Sequence, residues 1–572
     1  MKVKVSEQLY RTVGASKMAP FAVVEEGKFG WQKFVEVDLD TFSVAQLKKF
    51  SDLIKSHRDV RGTPTLLYDI ATWIKALERR GFAKPRTVQH FYALLLKYLG
   101  EALGHRLYAK DEDRDVWFAY YVGDVGYVPE HKGRDGITPA HVTMNLFWEE
   151  FGGRHSASKT FWPDDCVGMP VEEALLRESY IIETPDLRDQ YLQDRTKFLA
   201  EVGQVGKQFL ATGVATDDLD GNKERSDGWW RPRARTICLD REGESSHVVI
   251  DVFRETDEED RDRDKHFSEW FWTHQHDKGD EEDREDLSPE DVDQKPIIEV
   301  PLHPMLACFD LRRHLRLRIH VGQLTEYCYD KTLGEKLVLP DDSRALVEIL
   351  LGQTGEFKDI IAGKGAGMVI LCAGPPGTGK TLTAEVYAEV MARPLYTVQC
   401  SQLGVSPDEL ENELLKVFVR SQRWKAILLL DEADVYVSAR GRDLTQNAIV
   451  GVFLRTLEYY KGVLFLTTNR SDLVDDAVAS RCVARITYAV PSPQDQKRIW
   501  RILADTSGVK LADETIDGVV AKFPTLSGRD VKNLLKLAFL IAESRGEDVT
   551  FKLIDFVQRF KPTETEGSSH AR

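Results

Sequence analysis

Residues Gly374–Thr381 read GPPGTGKT, and they fall between the apolar run Met368-Val369-Ile370-Leu371 and a helical stretch from Leu382 to Ala392. Their types and spacing describe a phosphate cradle. Gly374, Gly377 and Gly379, with Pro375, Pro376 and Thr378 among them, let the backbone curl until successive N–H groups point at phosphate oxygens. Lys380 adds a cation for the β- and γ-phosphates, Thr381 offers a hydroxyl to Mg²⁺, and the helix that Leu382 continues presents its N-terminus to the same anion. A glycine-rich turn alone is often only a turn. All eight positions in a strand-to-helix setting make a phosphate-binding loop the stronger reading.

The other half of the site comes at the end of the apolar run Ala426–Leu430, which delivers Asp431-Glu432. Asp431 would hold Mg²⁺ through water and Glu432 would polarise an attacking water, the pairing that nucleoside triphosphate hydrolysis needs. The next apolar run, Val463–Leu466, ends in Thr467-Thr468-Asn469-Arg470. A polar Asn469 at the tip of a neighbouring strand suits a sensor of the γ-phosphate. Arg481 follows Asp475–Ser480 on a short helical stretch, and Ser527-Gly528-Arg529 begins a helix that is apolar at Leu534, Leu535, Leu537, Ala538 and Leu540.

Asp431-Glu432-Ala433-Asp434 also spells the signature of an RNA helicase family. Two prolines in the phosphate loop, the short spacing between loop and acids, and the lack of a second RecA-like half oppose that reading. Taken in order, the motifs resemble the AAA family of AAA+ ATPases over about residues 340–560. Within the family, Gln446–Tyr460 and Leu464–Arg470 look most like a group of fungal and bacterial members with a large N-terminal region. The resemblance implies ATP and Mg²⁺ as cofactors, with Lys380 and Thr381 as the Walker A lysine and metal ligand. It makes Asp431 and Glu432 the Walker B acids and Asn469 sensor 1. Arg481 matches an arginine finger that reaches a neighbouring subunit, Arg485 is a second candidate, and Arg529 takes the sensor 2 position. Ile360, within Asp359–Ala362, lies where the family lines its adenine pocket.

One departure bears on mechanism. Threading members of the family carry an aromatic ring in the loop after the second strand, whereas this chain has Ser401-Gln402-Leu403-Gly404-Val405. The following helix is well marked, with Ser406 as N-cap, Pro407 at its first position and Glu409 three residues beyond the cap. The loop is therefore located with no ring to grip an extended polypeptide.

At 572 residues and 42% hydrophobic content the chain has room for about three domains of an ordinary globular protein. Seven scattered cysteines without a CxxC pair read as thiols in a reducing compartment, not as disulfides or a zinc site. The opening MKVKVSEQLYRTVG lacks the apolar core of a signal peptide, and no stretch of 18 apolar residues occurs, so a cytoplasmic protein without a membrane partner is expected. The net charge of −16 is concentrated between Glu255 and Asp293, where 18 acids face 5 bases. That segment reads as a solvated acidic insertion, with an arm for a basic partner as the alternative. Trp270, Phe271 and Trp272 hint at anchoring there, while His266, His274 and His276 lack matched partners for a metal.

The front half carries less chemistry. Helices are expected at Ser43–His57, Tyr68–Arg80 and Pro85–Leu103, then strands over Leu107–Ile182 in a small barrel or sandwich, then a helix over Pro185–Leu210. Thr236–Leu239 and His247–Phe253 read as the arms of a hairpin. Trp229-Trp230-Arg231-Pro232-Arg233-Ala234-Arg235 interleaves rings with cations as single-strand-binding surfaces do, and Arg312, Arg313, Arg316 and Arg318 form a second basic group.

The expected fold is multidomain: an α/β P-loop AAA+ core with a small helical lid, preceded by a mixed α and β N-terminal region. Its divisions are a mainly helical segment (1–105), a β-rich recognition domain with helices (106–254), an acidic insertion (255–295), a linker to the motor (296–345), the large α/β subdomain (346–491), the lid (492–560) and a disordered tail (561–572). The expected working unit is a ring, most often a hexamer, that remodels a protein client chosen by the N-terminal region. A nucleic-acid-associated or defence-related ATPase is the alternative.

Overall fold

The computed structural model describes residues 2–6, 26–29, 32–38, 42–57, 84–101, 106–217 (without 112, 134–135 and 151–152), 236–252 (without 241–243), 300–352 and 367–560 (without 405, 440–443, 471 and 473), together with 9, 12–13, 60, 63, 66–67, 70–71 and 74. Two units result, Met1–Tyr327 and Cys328–Arg572.

The first unit opens with strands β1 (Lys2–Ser6), β2 (Glu26–Phe29) and β3 (Gln32–Asp38), an antiparallel sheet in the order β1-β3-β2. This sheet is an addition to the mainly helical segment expected over 1–105. The period-2 alternation in KVKVS and FVEVD registers Val3 with Val37 and Val5 with Val35, and Val5 and Val37 are fully buried. Helix α1 (Val44–Lys55) follows as expected, its N-terminus closed by a capping box in which Ser43 and Gln46 exchange hydrogen bonds. Leu47, Phe50 and Ile54 project from one face of α1 into the same core as Val5 and Val37.

After α2 (Val88–Glu101) come β4 (Arg106–Asp111), β5 (Val116–Val128), the small hairpin β6 (His131–Gly133) and β7 (Gly136–Thr138), β8 (His141–Glu150) and β9 (Gly153–Phe161). With α3 (Val171–Arg177) and β10 (Tyr180–Ile182) they build an antiparallel sheet in the order β10-β4-β5-β8-β9. Val142, Met144 and Leu146 alternate inward along β8 and meet Phe91 and Leu95 of α2 and Leu175 of α3. One face of this sheet is thus covered by helices. The β5–β8 register shifts between Val122 and Val125, and a Cβ on Gly123 would lie 2.4 Å from the Phe147 ring, so a side chain there would force that ring to move.

Helix α4 (Pro185–Glu201), capped by Thr184, leads to β11 (Gln208–Ala211), β12 (Val214–Asp217), β13 (Thr236–Cys238), β14 (Ser246–Ile250), β15 (Met305–Asp310), β16 (Leu315–His320) and β17 (Leu324–Glu326). These strands form one antiparallel sheet ordered β13-β12-β16-β15-β14-β11-β17. The expected hairpin of β13 with β14 does not form: β13 pairs with β12, while β14 sits between β11 and β15.

The expected linker over 296–345 is also corrected. All six residues of β15 are buried in the middle of the sheet, and of the basic group, Arg313 and Arg316 bond within the same unit to Asp310, Ser246 and the backbone of Asp251. Residues 328–345 instead pack with the second unit, where Asp330 N–H donates to Glu389 (2.9 Å) and Leu337 and Leu339 enter the core.

The second unit is α/β. Its strands β18 (Met368–Ala373), β19 (Leu395–Gln399), β20 (Ile427–Asp431), β21 (Val463–Thr468) and β22 (Ala484–Thr487) form a parallel sheet ordered β19-β20-β21-β18-β22. Helices α5 (Asp341–Gly352), α6 (Lys380–Val390), α7 (Pro407–Arg423) and α8 (Leu444–Leu457) accompany it. A parallel sheet needs both faces covered, which explains the near-continuous apolar runs of β18, β20 and β21. Four further helices, α9 (Pro493–Thr506), α10 (Asp513–Lys522), α11 (Gly528–Arg545) and α12 (Phe551–Gln558), share a core around the fully buried Trp500. Among the described residues no helix is long and apolar enough to cross a membrane.

The first unit also holds two buried histidines. His303 donates from Nε2 to the Ala119 carbonyl (2.9 Å) and stacks on Trp148 at 5.4 Å, and His320 accepts at Nδ1 from the Gly322 N–H (3.1 Å). Burial, with the Arg114 guanidinium acting in the same direction on both, holds the two imidazoles down at about 3. Both histidines are neutral when folded, yet in the unfolded chain they take up protons below about pH 6.5. Stability of this unit should therefore fall as pH drops from about 6.5 towards 3, by up to about 1.4 kcal/mol per pH unit for each group. Thermal unfolding at pH 7 and pH 5 checks this, and His303→Asn, which keeps a donor but cannot titrate, should flatten the dependence.

Candidate nucleotide site

The order of the parallel sheet creates the place for a ligand. From β18 the chain crosses to the far edge at β19, returns through β20 and β21, and closes on the other side of β18 with β22. The carboxyl end of β18 is therefore a switch point, the place where open α/β sheets bind their ligands. Gly374–Gly379 occupies it and runs directly into α6.

Within that loop Gly374, Gly377 and Gly379 have φ of 154°, 76° and 100°. At Gly374 a Cβ would lie 2.3 Å from the Tyr488 carbonyl oxygen, and at Gly377 2.8 Å from the Cβ of Arg529. The cradle depends on bare backbone at both points. Thr378 fastens the turn by donating to the Pro375 carbonyl (2.8 Å). The buried Lys380 ammonium donates to the carbonyls of Gly374 (2.9 Å) and Pro375 (2.6 Å). Burial pushes its pKa down and the Asp431 carboxylate opposes that shift. Leu382 is 48% exposed at the start of α6.

Three strands bring their ends together beside the loop. Asp431 Oδ1 accepts from the Thr381 hydroxyl (2.9 Å) and from the Thr467 hydroxyl (2.6 Å). Thr467 Oγ1 accepts in turn from the Glu432 N–H (2.9 Å), and its carbonyl from the Ala433 N–H (2.8 Å). Glu432 itself is exposed and has φ of 55°, in the left-handed region that a side-chain-bearing residue adopts only at a cost of about 1–3 kcal/mol. One step along, Thr468 Oγ1 donates to Asp434 Oδ1, which also accepts from the Asn469 N–H (3.1 Å). Asn469 is exposed at the tip of β21.

The structure thus brings Lys380, Thr381, Asp431 and Glu432 into one network, with Asn469 tied to it through Asp434. Arg529 joins from the lid side: its N–H donates to the Gly377 carbonyl (3.1 Å), and its guanidinium contributes to lowering Lys380. Ser527 and Asp530 cap α11 at that point. Arg481 has no bond to this network; it is exposed, and its Nη1 donates to the Ala477 carbonyl (3.1 Å) of the short helix Asp476–Ala479. Arg485 is exposed on β22.

In the loop after β19, Leu403 is buried and Gly404 has φ of 84°. Its exposed side chains are those of Ser401 and Gln402. Ile360, Val405, the Trp229–Arg235 stretch and the acidic segment with His266, His274 and His276 lie outside the described residues.

Sequence reasoning missed three residues here. Thr467 and Asp434 are the partners that hold the acids and the Asn469 tip, and Tyr488 supports the loop from below. The Tyr488 hydroxyl donates to Thr383 Oγ1 (2.7 Å) and its N–H to the Ala373 carbonyl (2.7 Å). Two adjacent hydroxyls closing a buried apolar run were the available signal, because a buried threonine needs a partner.

A hydroxyl and a carboxylate beside a lysine suit Mg²⁺, a hard ion that keeps several waters and takes one or two carboxylates together with substrate phosphates. Among the described residues no cluster of three or more His, Cys, Asp or Glu could form a protein cage for a metal.

Comparison with known proteins agrees with this geometry. Residues 370–489 match the model of the ATPase family associated with various cellular activities (AAA). The ATP-dependent zinc metalloprotease FtsH 3 of Sphaerobacter thermophilus is 29% identical over 194 residues, 31% of this chain and 39% of that protein. FtsH 2 of Salinibacter ruber is 30% identical over 196 residues, 31% and 28% respectively. The human ATPase family gene 2 protein homolog B is 28% identical over 208 residues, 34% and 27%. The chain thus spans well under half the length of these curated relatives. The parallel sheet, the glycine loop at the end of β18 and the match over 370–489 show that the second unit of this chain carries an AAA ATPase domain.

Proposed function

We propose that this chain hydrolyses ATP to ADP and phosphate with Mg²⁺, works as a ring of identical subunits, and uses the turnover to remodel a protein client recognised by residues 1–327. The observation that supports it best is the convergence of Lys380, Thr381, Asp431 and the Glu432 backbone on one loop and one hydroxyl network. The glycine loop and Lys380 bind and orient the triphosphate. Thr381 and Asp431 would hold the metal, which when bound neutralises charge on the phosphates. Glu432 takes the proton of the attacking water, and Arg529 approaches from the lid. Asn469 senses the γ-phosphate. A protein client is favoured because two of the similar proteins are by name ATP-dependent proteases.

Charge neutralisation and water activation are separable tasks, so two substitutions should part them. Lys380→Ala should abolish nucleotide binding in a fluorescent-nucleotide titration. Glu432→Gln should bind normally and release almost no phosphate; turnover at the wild-type rate would remove Glu432 from the role of base.

Arg481 is exposed and unbonded to its own network, as suits a group that completes a neighbour's site. Arg481→Ala should bind ATP and hydrolyse it roughly 10³- to 10⁵-fold more slowly. Mixing it with Lys380→Ala protein should recover activity, since an intact Lys380 and an intact Arg481 then meet at some boundaries. Mixtures of freely exchanging subunits that stay as slow as the separate variants would place Arg481 outside the trans role.

With Leu403 buried and no ring among Ser401–Gly404, the loop after β19 lacks a grip for an extended chain. The protein should fail to unfold a stable tagged reporter while still hydrolysing ATP. ATP-dependent loss of the reporter's native fluorescence is the contrary result.

A further inference from the structure

Asp431 and Glu432 stand at the end of β20, yet what holds them in place comes from β21. The Thr467 hydroxyl spends its one proton on Asp431 Oδ1 (2.6 Å) and takes the Glu432 N–H on its lone pair (2.9 Å). It is the one side chain given hydrogen bonds to both acids among the described residues. Thr467 is 2% exposed, so water does not substitute for either bond. The second bond fixes the peptide of a residue whose φ of 55° is unfavourable for glutamate.

We propose that Thr467 is a positioning residue for ATP hydrolysis, whose single hydroxyl locks the Asp431 carboxylate and the strained Glu432 backbone in one relative arrangement. The inference rests on the hydrolytic reading of the site. It adds that the mechanical link from β21 to the acids is this hydroxyl, whereas the Asn469 tip is tied to Asp434 instead. Serine retains the link. Valine, which has the shape of threonine and its preference for strands, removes both bonds at once.

The test compares wild type, Thr467→Val and Thr467→Ser. Thr467→Val should bind a fluorescent ATP analogue with magnesium within about threefold of wild-type affinity, while kcat falls roughly 10- to 100-fold and KM changes little. Thr467→Ser should return kcat to within about threefold of wild type by the same reasoning. A readout that needs no turnover accompanies these: amide hydrogen exchange at Glu432 should accelerate in the valine variant and stay slow in the serine variant. Wild-type phosphate release, measured alongside, reports on hydrolysis itself and keeps the two readings apart. Unchanged kcat and Glu432 exchange in Thr467→Val, equal loss in the serine variant, or a loss of nucleotide affinity as large as the loss of rate would overturn the proposal.

Discussion

A carboxylate kept in a half-buried place must be surrounded by donors, and Asp431 obtains two of them from two different elements. Thr381 supplies one from the first turn of α6, and Thr467 the other from β21. Each donor exists only if its own element is in register: α6 begins where Gly379 lets the loop end, and β21 lies between β18 and β20, paired with β18 over Val463–Thr468 and with β20 over Val463–Leu466. The sheet order is therefore a condition of the electrostatics. Moving β21 by one residue would turn Thr467 to the opposite face and leave the carboxylate without its second donor.

Much of the second unit was legible from residues alone. Apolar runs of four to six residues that stop at Gly374, Asp431 and Thr467 read as buried strands delivering polar groups to one edge, and the parallel sheet has them there. Ser406 is an N-cap in sequence and in structure, and Ser527 opens its helix in both, because a cap is a local event. The partners of the acids were not legible. Which hydroxyl reaches Asp431 depends on the pairing of β20 with β21, a contact across more than thirty residues, and no local pattern encodes it.

The first unit shows the same division more sharply. The strands β4, β5 and β8 were recognisable by their β-branched and aromatic content, but the seven-stranded sheet joins segments from Gln208 to Glu326 across a long intervening stretch. Thr236–Cys238 and Ser246–Ile250 are neighbours in sequence and would make an ordinary hairpin, yet each pairs with a different partner. Arg313 and Arg316, which the sequence shows only as part of a second basic group just before the motor, are bound to carboxylates and carbonyls of their own sheet.

The left-handed backbone of Glu432 puts two kinds of selection at odds. Glycine or asparagine would relax that conformation, so among random variants screened only for heat resistance, position 432 should drift away from glutamate. A lineage that keeps glutamate there is being held by what the side chain does, at a standing expense in fold stability that neighbouring contacts must make good. The residue is thus a marker: in any descendant of this chain that has lost its chemistry but kept its fold, position 432 is among the first places where the change would be written.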